Sequence, residues 1–459
     1  MILHLAITVA FARLLVAPLV DRAEGGATDF TVFYTGWSLV LHDPAHIYDV
    51  EAQRQVQAGI LRDRQFLGGV MTFYYPPHAA VAFAPLAWLD FHNAFRVWML
   101  LELAAAVWLV RWLIQLSGLT GKLDRWVLAT AVTAFLPLLY AMQIGQLSIA
   151  MTAALVGFWR AFDRRRDAEA GAWLLALTVK AQLLPVPCLL LLAARRFRPV
   201  AWAALWAAPI VALATAVLGA GAWRAYPEAV RHLEGFVAGG SHDHMLNLRG
   251  LLSRLFGLGH DRAIVAVCAV AFAATTVLAY ILLRRHARRG PIPVTAFAAA
   301  LALELPTSLH LHLQDALVWA IPLIVFSTRG GEAAAWSRRF APFALAWPLA
   351  FVAGYAVETA TGRLLPIPVP LVLAAILIVW IAPDPALRGA RCGRAPRRPR
   401  RCSPARGPGN ARGGRGPAPA RPGARARWRG CSGRPRSPGS PAARAAARRR
   451  RPRARGWRG

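Results

Sequence analysis

Acidic residues are scarce in this chain of 459 residues, which has 22 Asp and Glu residues against 54 Lys and Arg residues. Lysine is nearly absent, because only Lys122 and Lys180 occur and the remaining basic residues of that set are arginines. The five cysteines form neither a CxxC metal motif nor a disulfide framework. A disulfide-stapled secreted domain and a cysteine-based zinc site are therefore excluded. Each carboxylate or lysine near an apolar segment needs an explanation.

Long apolar runs make up most of the chain, and 56% of its residues are hydrophobic. Runs of about 17–25 residues are long enough to cross the ~30 Å hydrocarbon core of a bilayer. They are continuous rather than alternating, which excludes a transmembrane β-barrel. We therefore expect an all-α polytopic membrane protein.

The C-terminal part of the chain differs in composition. Most of the net charge of +32 lies in residues 384–459, which contain 24 Arg and one Asp. This segment consists mainly of Arg, Pro, Gly and Ala without apolar periodicity, so we expect a disordered tail after a membrane domain of residues 1–383. A polybasic tail suits anionic lipid or nucleic acid. We favour a compositional origin in a GC-rich gene and expect no specific nucleic-acid partner.

Arginine clusters predict the topology, because short loops rich in Arg and Lys stay on the cytoplasmic side of a membrane. Placing clusters such as 160–166 and 195–198 inside puts both termini inside and gives outer loops at about 21–76 and 222–261. Residues 1–20 lack the positive start of a signal peptide, so we expect an uncleaved helix there. The other crossings are predicted near 93–110, 125–141, 143–160, 198–221, 262–283, 291–309, 312–328, 340–360 and 364–382.

Two apolar segments must return to the side of the membrane from which they start, because a single crossing by either would place the following arginine clusters outside. Residues 168–194 lie between two basic clusters and are too short for two full spans, so two half-helices with a tip near Lys180 are expected. Such broken elements are tolerated where they line a protein cavity. Residues 76–91 are expected to form an interfacial juxtamembrane helix on the outer face, beginning at Pro76. The total is about 12 transmembrane or membrane-entering helices.

Asp29 stands just outside the first apolar segment, in the stretch GATDFTVFYTGW. Aromatic residues suited to a bilayer interface follow it. Two interpretations are open: Thr28 or Asp29 caps the start of a helix, or Asp29 is a functional carboxylate.

Other polar residues lie at predicted outer boundaries of apolar segments. The stretch TFYYPPHAAV contains Tyr75 and His78 around a Pro-Pro helix start, which also has a purely structural interpretation. Gln143 and Gln146 are three residues apart, so we expect them on one helix face, where interhelical hydrogen bonding is the alternative role. Lys180 lies in the apolar body, where a phosphate ligand and a snorkelling lysine are the two interpretations.

The stretch ELPTSLHLHLQDALVW groups Glu304, His310, His312 and Asp315 around a short turn between two apolar segments. His312 and Asp315 are three residues apart and can share a helix face. A metal site needs three or more ligands in a fixed geometry, and nothing fixes the histidines of the SHDH stretch at 241–244 beside them. We therefore expect neither a metal nor another cofactor.

The order of these motifs resembles the DUF2029 family, which is glycosyltransferase family 87. The motifs are an outer DF, a YPP helix, a GQ helix start, a K-x-Q between short helices and an H-x-H-x-x-D before a late helix, and they span roughly residues 1–382. The resemblance implies a GT-C-like fold and a membrane enzyme that moves a hexose, usually mannose, from a polyprenyl-phosphate donor to an extracytoplasmic lipid or glycan acceptor. The late motif reads SLHLHLQD rather than a His-His pair preceded by Trp, which leaves the sugar and the acceptor open.

The resemblance also implies roles for the candidate residues. Asp29 matches the general base, which takes the proton of the acceptor hydroxyl in an inverting single displacement. Lys180, and more weakly Arg249, would steady the phosphate of the leaving group. His310 and His312 would hold phosphate or sugar. The remaining candidates are Asp315, expected to orient His312, together with the substrate-binding residues Gln146, Tyr75 and His78.

The same resemblance implies a location in the bacterial inner membrane, with the site facing the periplasm. The alternative is a polytopic transporter or lipid flippase, because a broken helix pair and a buried lysine also occur there. The two halves of this sequence show no corresponding pair of interrupted segments, which favours the enzyme.

Overall fold

The structure is a computed structural model that describes residues 29–61, 70–237, 245–257, 260–308 and 310–328. Every regular element in these ranges is helical, as the sequence predicts. In chain order the helices are α1 Phe30–His42, α2 Val50–Leu61, α3 Pro77–Phe83, α4 Phe91–Ser117, α5 Lys122–Thr133, α6 Leu136–Ile144, α7 Ser148–Asp163, α8 Asp167–Leu177, α9 Pro185–Ala194, α10 Arg198–Leu218, α11 Gly221–Val237, α12 Leu248–Phe256, α13 Asp261–Arg289, α14 Val294–Glu304 and α15 Ala320–Thr328, with 3₁₀ segments at Pro44–His46, Ala84–Trp88, Thr178–Leu183 and Asp315–Trp319.

Among the described residues, three helices are long and apolar enough to cross a membrane, namely α4, α10 and α13. The pair α5 and α6 is a fourth candidate. The crossings predicted near 291–309 and 312–328 are present as shorter apolar segments, Val294–Thr307 and Asp315–Phe326. These helices support a multi-pass membrane protein.

The total of about 12 membrane-entering helices stays a prediction. Several segments on which it depends lie outside the residues that the structure describes: the first helix at 1–20, the crossings near 340–360 and 364–382, the SHDH stretch at 241–244 and the tail at 384–459.

Two predicted crossings differ in detail from the helices of the structure. The segment 125–141 is not one straight span, because α5 and α6 meet at an angle of 48°. Pro137 lies in the first turn of α6 and has no N–H with which to continue a preceding helix. The crossing predicted near 143–160 begins only at Ser148, because Gly145 adopts a left-handed conformation with φ of 69° and ends α6.

The broken element around Lys180 is confirmed. Helices α8 and α9 are both short, and Lys180 has non-helical backbone angles (φ −123°, ψ 81°) in the 3₁₀ segment that joins them. Arg196, just after α9, binds Asp167 at the start of α8 with an Nε–Oδ1 distance of 2.6 Å. The two remote ends are therefore held together at one side, and Lys180 lies at the tip.

The predicted outer loops contain regular structure that the sequence analysis did not assign. Helices α1 and α2 lie within 21–76, and α11 and α12 lie within 222–261. The short helix expected from Pro76 is confirmed as α3, with Pro77 in its first turn. Of the candidate site residues, His78 lies in α3, Arg249 lies in α12 and Asp29 stands directly before α1.

An aromatic cluster fixes α1 against α4. Phe30 and Trp37 are fully buried, and their rings lie 5.1 Å from Phe95 and 5.3 Å from Trp98, respectively, between centroids. The indole of Trp98 also donates a hydrogen bond of 2.8 Å to the carbonyl oxygen of Gly145. The start of α1 and the turn after α6 are thus held against the same helix.

Candidate active site

Asp29 and Gln146 meet because their chain neighbours pack together. Phe30 lies against Gly145, where a Cβ atom would be 2.9 Å from the Cβ of Phe30. The residues on either side are thereby aligned, and Gln146 Nε2 donates a 2.8 Å hydrogen bond to Asp29 Oδ2. The two residues are 117 positions apart in the sequence.

Asp29 does not act as a helix cap. It stands at the N-cap position of α1, but its backbone is helical (φ −58°, ψ −22°) and its side chain makes no capping hydrogen bond. A capping aspartate normally has an extended backbone and binds the N–H groups of the first turn. The structure thus argues against a cap at Asp29, Thr28 lies outside the described residues, and the functional role of Asp29 stays a prediction.

The surroundings of Asp29 make it a stronger base than an ordinary aspartate. Burial raises the pKa of Asp29 above its usual value, and Asp315 adds to this increase. The hydrogen bond from Gln146 and the positive charge of Lys180 oppose the rise without cancelling it. A carboxylate with a raised pKa holds a proton more readily, as a general base requires.

Gln146 is fixed from its other side by Tyr75. The Tyr75 hydroxyl donates to Gln146 Oε1 at 3.4 Å, and Tyr48 donates to the carbonyl oxygen of Tyr75 at 2.7 Å. Because the amide oxygen accepts from Tyr75, the amide nitrogen is turned towards Asp29. The prediction that Gln143 and Gln146 share a helix face is wrong, since Gly145 ends α6 between them.

Lys180, Ser148 and Asp315 form a buried triangle. Lys180 Nζ lies 2.5 Å from Asp315 Oδ1 and 3.0 Å from Ser148 Oγ, and the Ser148 hydroxyl donates to Asp315 Oδ1 at 2.7 Å. All three side chains are buried. Lys180 is thus held by Asp315, at the start of the 3₁₀ segment Asp315–Trp319, and does not snorkel to the surface.

The triangle and Asp29 belong to one site. Ser148 follows Gln146 by two residues, and Lys180 and Asp315 both influence the pKa of Asp29. His310 interacts electrostatically with Asp315. The structure therefore brings together residues from five separate motifs of the sequence, and the roles that the resemblance implies for them stay predictions.

The two histidines of the late motif lie side by side, with ring centroids 4.5 Å apart and nearly perpendicular rings. His312 lies three residues before Asp315 in the sequence. The identified hydrogen-bond partners of Asp315 are Ser148 and Lys180. Orientation of His312 by Asp315 stays a prediction.

His78 and Arg249 have different surroundings. His78 Nε2 lies 3.0 Å from the Thr178 hydroxyl, two residues before Lys180. Arg249, in α12, is buried and pairs with Asp261 at 3.6 Å. The guanidinium is thus partnered outside the triangle, and its weaker assignment as a phosphate ligand stays a prediction.

Ser148, Thr178 and Glu102 were not singled out in the sequence. Ser148 lies two residues after Gln146 of the GQ motif. Glu102 is buried within the span α4, and its Oε2 atom has no hydrogen-bond partner in the described part of the chain. A carboxylate in a span is costly and marks a functional region, and Lys180 is within electrostatic range of it.

The described residues contain no group of three or more His, Cys, Asp or Glu side chains placed to hold a metal ion. The expectation that neither a metal nor a cofactor takes part stays a prediction.

Comparison with known proteins gives one family and two similar relatives. A family model described as glycosyltransferase family 87 matches residues 73–310. A polyprenol-phosphate-mannose-dependent alpha-(1-2)-phosphatidylinositol pentamannoside mannosyltransferase of Mycolicibacterium smegmatis is 29% identical over 267 residues, which is 57% of this chain and 62% of that protein. The protein of the same description from Mycobacterium tuberculosis is 27% identical over 271 residues, or 57% of this chain and 59% of that one.

The chain thus spans about three fifths of the length of the curated relatives it matches. No solved structure matches it. Asp29 precedes the family match, and His312 and Asp315 follow it, whereas Tyr75, His78, Gln146 and Lys180 lie within it. Because the match extends over slightly more than half of the sequence, this chain belongs to glycosyltransferase family 87.

Proposed function

We propose that this protein is a membrane hexosyltransferase that moves a sugar, most simply mannose, from a polyprenyl-phosphate donor to an extracytoplasmic lipid or glycan acceptor. Family membership and the described donor of both relatives support the donor class. The observation that carries the mechanism is the Asp29 carboxylate, which is held by Gln146 instead of capping α1.

Asp29 acts as the general base. The acceptor hydroxyl oxygen attacks the anomeric carbon and forms the new glycosidic bond while its proton passes to Asp29. The bond between the anomeric carbon and the phosphate oxygen breaks in the same step, so the anomeric centre inverts. Burial keeps the proton affinity of Asp29 high, and general base catalysis of this kind contributes about 10²–10⁴-fold.

Lys180 receives the leaving polyprenyl phosphate. An ammonium group has three N–H donors, and in the described part of the chain two of them are taken by Ser148 and Asp315. The third is left for a phosphate oxygen. Because Asp315 and Ser148 hold the ammonium group in place, it is positioned before the charge on the leaving group develops.

The site faces the outer side of the membrane in this proposal. Its residues come from the predicted outer segments and from the tip at Lys180, whereas the arginine clusters lie at the opposite ends of the helices. In a bacterium this places the acceptor in the periplasm and the protein in the inner membrane.

The experiment compares Asp29→Asn, Lys180→Ala and the wild type in membranes supplied with radiolabelled polyprenyl-phosphate mannose and an alkyl mannoside acceptor. We expect Asp29→Asn to lower sugar transfer by about 10²–10⁴-fold with the donor KM largely kept. Lys180→Ala should chiefly raise the donor KM, because a cation beside the phosphate is lost.

Asp49→Asn is the matched control, since Asp49 is an exposed aspartate of the same predicted outer segment. It should transfer sugar at the wild-type rate. A well-expressed Asp29→Asn protein with unchanged transfer would remove Asp29 from the mechanism. A wild-type protein that transfers no sugar from this donor class would contradict the proposed function itself.

A further inference from the structure

His78 is fixed in a single tautomer by its partner. Its Nε2 atom lies 3.0 Å from Thr178 Oγ1, and the same hydroxyl lies 2.6 Å from the carbonyl oxygen of Leu175. A hydroxyl has one hydrogen, and a carbonyl can only accept. Thr178 therefore donates to Leu175 and accepts from His78, so that the hydrogen of the neutral imidazole is on Nε2.

The other ring nitrogen, Nδ1, then carries a lone pair. Burial lowers the pKa of His78 below its usual value, which favours the neutral ring at pH 7. The hydrogen bond to Thr178 and a parallel ring contact with Trp223, 6.3 Å between centroids, are the polar and ring contacts of His78 identified in the described part of the chain. Among these described residues Nδ1 has no hydrogen-bond donor, and His78 is partly exposed.

The position of the ring links it to the site. Thr178 opens the 3₁₀ segment in which Lys180 lies two residues later. His78 itself lies three residues after Tyr75, whose hydroxyl contacts Gln146. The hydrogen bond to Thr178 thus attaches His78 to the short segment that carries Lys180, the proposed phosphate ligand.

We propose that His78 is a specificity-determining residue: its Nδ1 accepts a hydrogen bond from a hydroxyl of the donor sugar, while Thr178 sets the tautomer and Trp223 supports the ring. The inference rests on the proposed function, because the donor sugar is the group bonded to the phosphate held by Lys180. A neutral acceptor of fixed direction distinguishes sugars that differ in the configuration of one hydroxyl. A site built to bind a hydroxyl rejects the analogue that lacks it.

Two substitutions separate the acceptor from the rest of the ring. In His78→Gln, the amide N–H of the glutamine lies near the former position of Nε2 and can donate to Thr178. No acceptor is left near the former position of Nδ1. His78→Asn is shorter and places an amide oxygen near the Nδ1 position without reaching Thr178. Both are measured in membranes with polyprenyl-phosphate mannose and polyprenyl-phosphate glucose as donors and an alkyl mannoside as acceptor.

We expect His78→Gln to raise the donor KM about three- to tenfold, because one net hydrogen bond is lost. The ratio of kcat/KM between the mannose and glucose donors should become smaller. The acceptor KM should stay unchanged, and His78→Asn should keep most of the preference. Thr178→Val, which frees the tautomer, should behave as a weaker form of His78→Gln.

The inference is overturned if His78→Gln keeps the wild-type donor preference, if both variants lose it equally, or if the change falls on the acceptor KM. Asp29→Asn, measured in parallel, separates this failure from failure of the mechanism. A silent His78→Gln beside an inactive Asp29→Asn contradicts only the role of His78. A fully active Asp29→Asn contradicts the proposed base.

Discussion

Two aspartates in the site have different surroundings and therefore different roles. Asp315 accepts from Lys180 and Ser148, so its negative charge is balanced by a cation in direct contact. Asp29 accepts from the neutral amide of Gln146 and has no cation within ion-pair distance in the described part of the chain. Where the environments of two carboxyl groups push their pKa values apart, one group can pair with a charge while the other can accept a proton.

This difference predicts an acid limb in the pH dependence of sugar transfer. If Asp29 is the proposed base, transfer needs its carboxylate form, and burial raises the pKa of Asp29 above its usual value. As the pH falls, Asp29 is protonated and the base is lost, so kcat/KM should decline at a pH above the ~3.9 expected of an ordinary aspartate. The profile of kcat/KM against pH measures it, and a flat profile down to pH 4 would contradict the assignment.

A glycine turn determines whether the base and its amide partner meet. Gly145 adopts a left-handed backbone, and a Cβ there would approach Phe30, Phe95 and Trp98 within 2.9–3.4 Å. Gly145→Ala combines backbone strain of about 1–2 kcal/mol with overpacking of about 1–3 kcal/mol. We expect a lower melting temperature and a large loss of transfer, because Gln146 is moved away from Asp29.

Gly118→Ala is the control for this element. Gly118 has nearly the same backbone angle, φ of 71°, at the end of α4, but a Cβ there would meet nothing within 4 Å. Gly118→Ala should therefore show the backbone strain without the steric overlap, and the variant should keep its transfer activity. Thermal unfolding in detergent and transfer rates measure both variants, and equal loss of activity in the two would argue against the packing explanation.

At the level of elements, the sequence predicted well where charge or proline restricted the choices. Parity between two arginine clusters required a broken element around Lys180, and the structure has one. The break between α5 and α6 was missed, because apolar residues continue across it and only Pro137 marks it. The start of α7 was misplaced for a related reason, since a glycine's left-handed backbone is a local geometry that hydropathy does not report.

The site was predicted as a set of residues but not as a set of contacts. Asp29, Gln146, Lys180 and Asp315 were recognised as polar residues at the borders of apolar segments. Their pairing depends on packing between helices more than 100 residues apart, which a single sequence does not contain. Ser148 and Thr178 were overlooked because small hydroxyl residues are common in membrane helices and carry no signal by themselves.

For the molecule as a whole, the charge asymmetry predicts which ends of the helices face outwards. Cysteines introduced by Glu51→Cys in α2 and by Arg165→Cys after α7 both lie at exposed positions. In a background without the native cysteines, an impermeant thiol reagent should label the first in intact cells and the second only after permeabilisation. Labelling of Arg165→Cys in intact cells would contradict the predicted topology.

The turn that carries Gln146 and Ser148 has a consequence for how the site responds to its bilayer. Gln146 donates to Asp29, and two residues later Ser148 accepts from Lys180. One short piece of backbone therefore contributes a contact to each of two side chains that belong to different elements. If these residues act as proposed, we expect a thinner or thicker membrane that changes the tilt of the surrounding helices to move both contacts together.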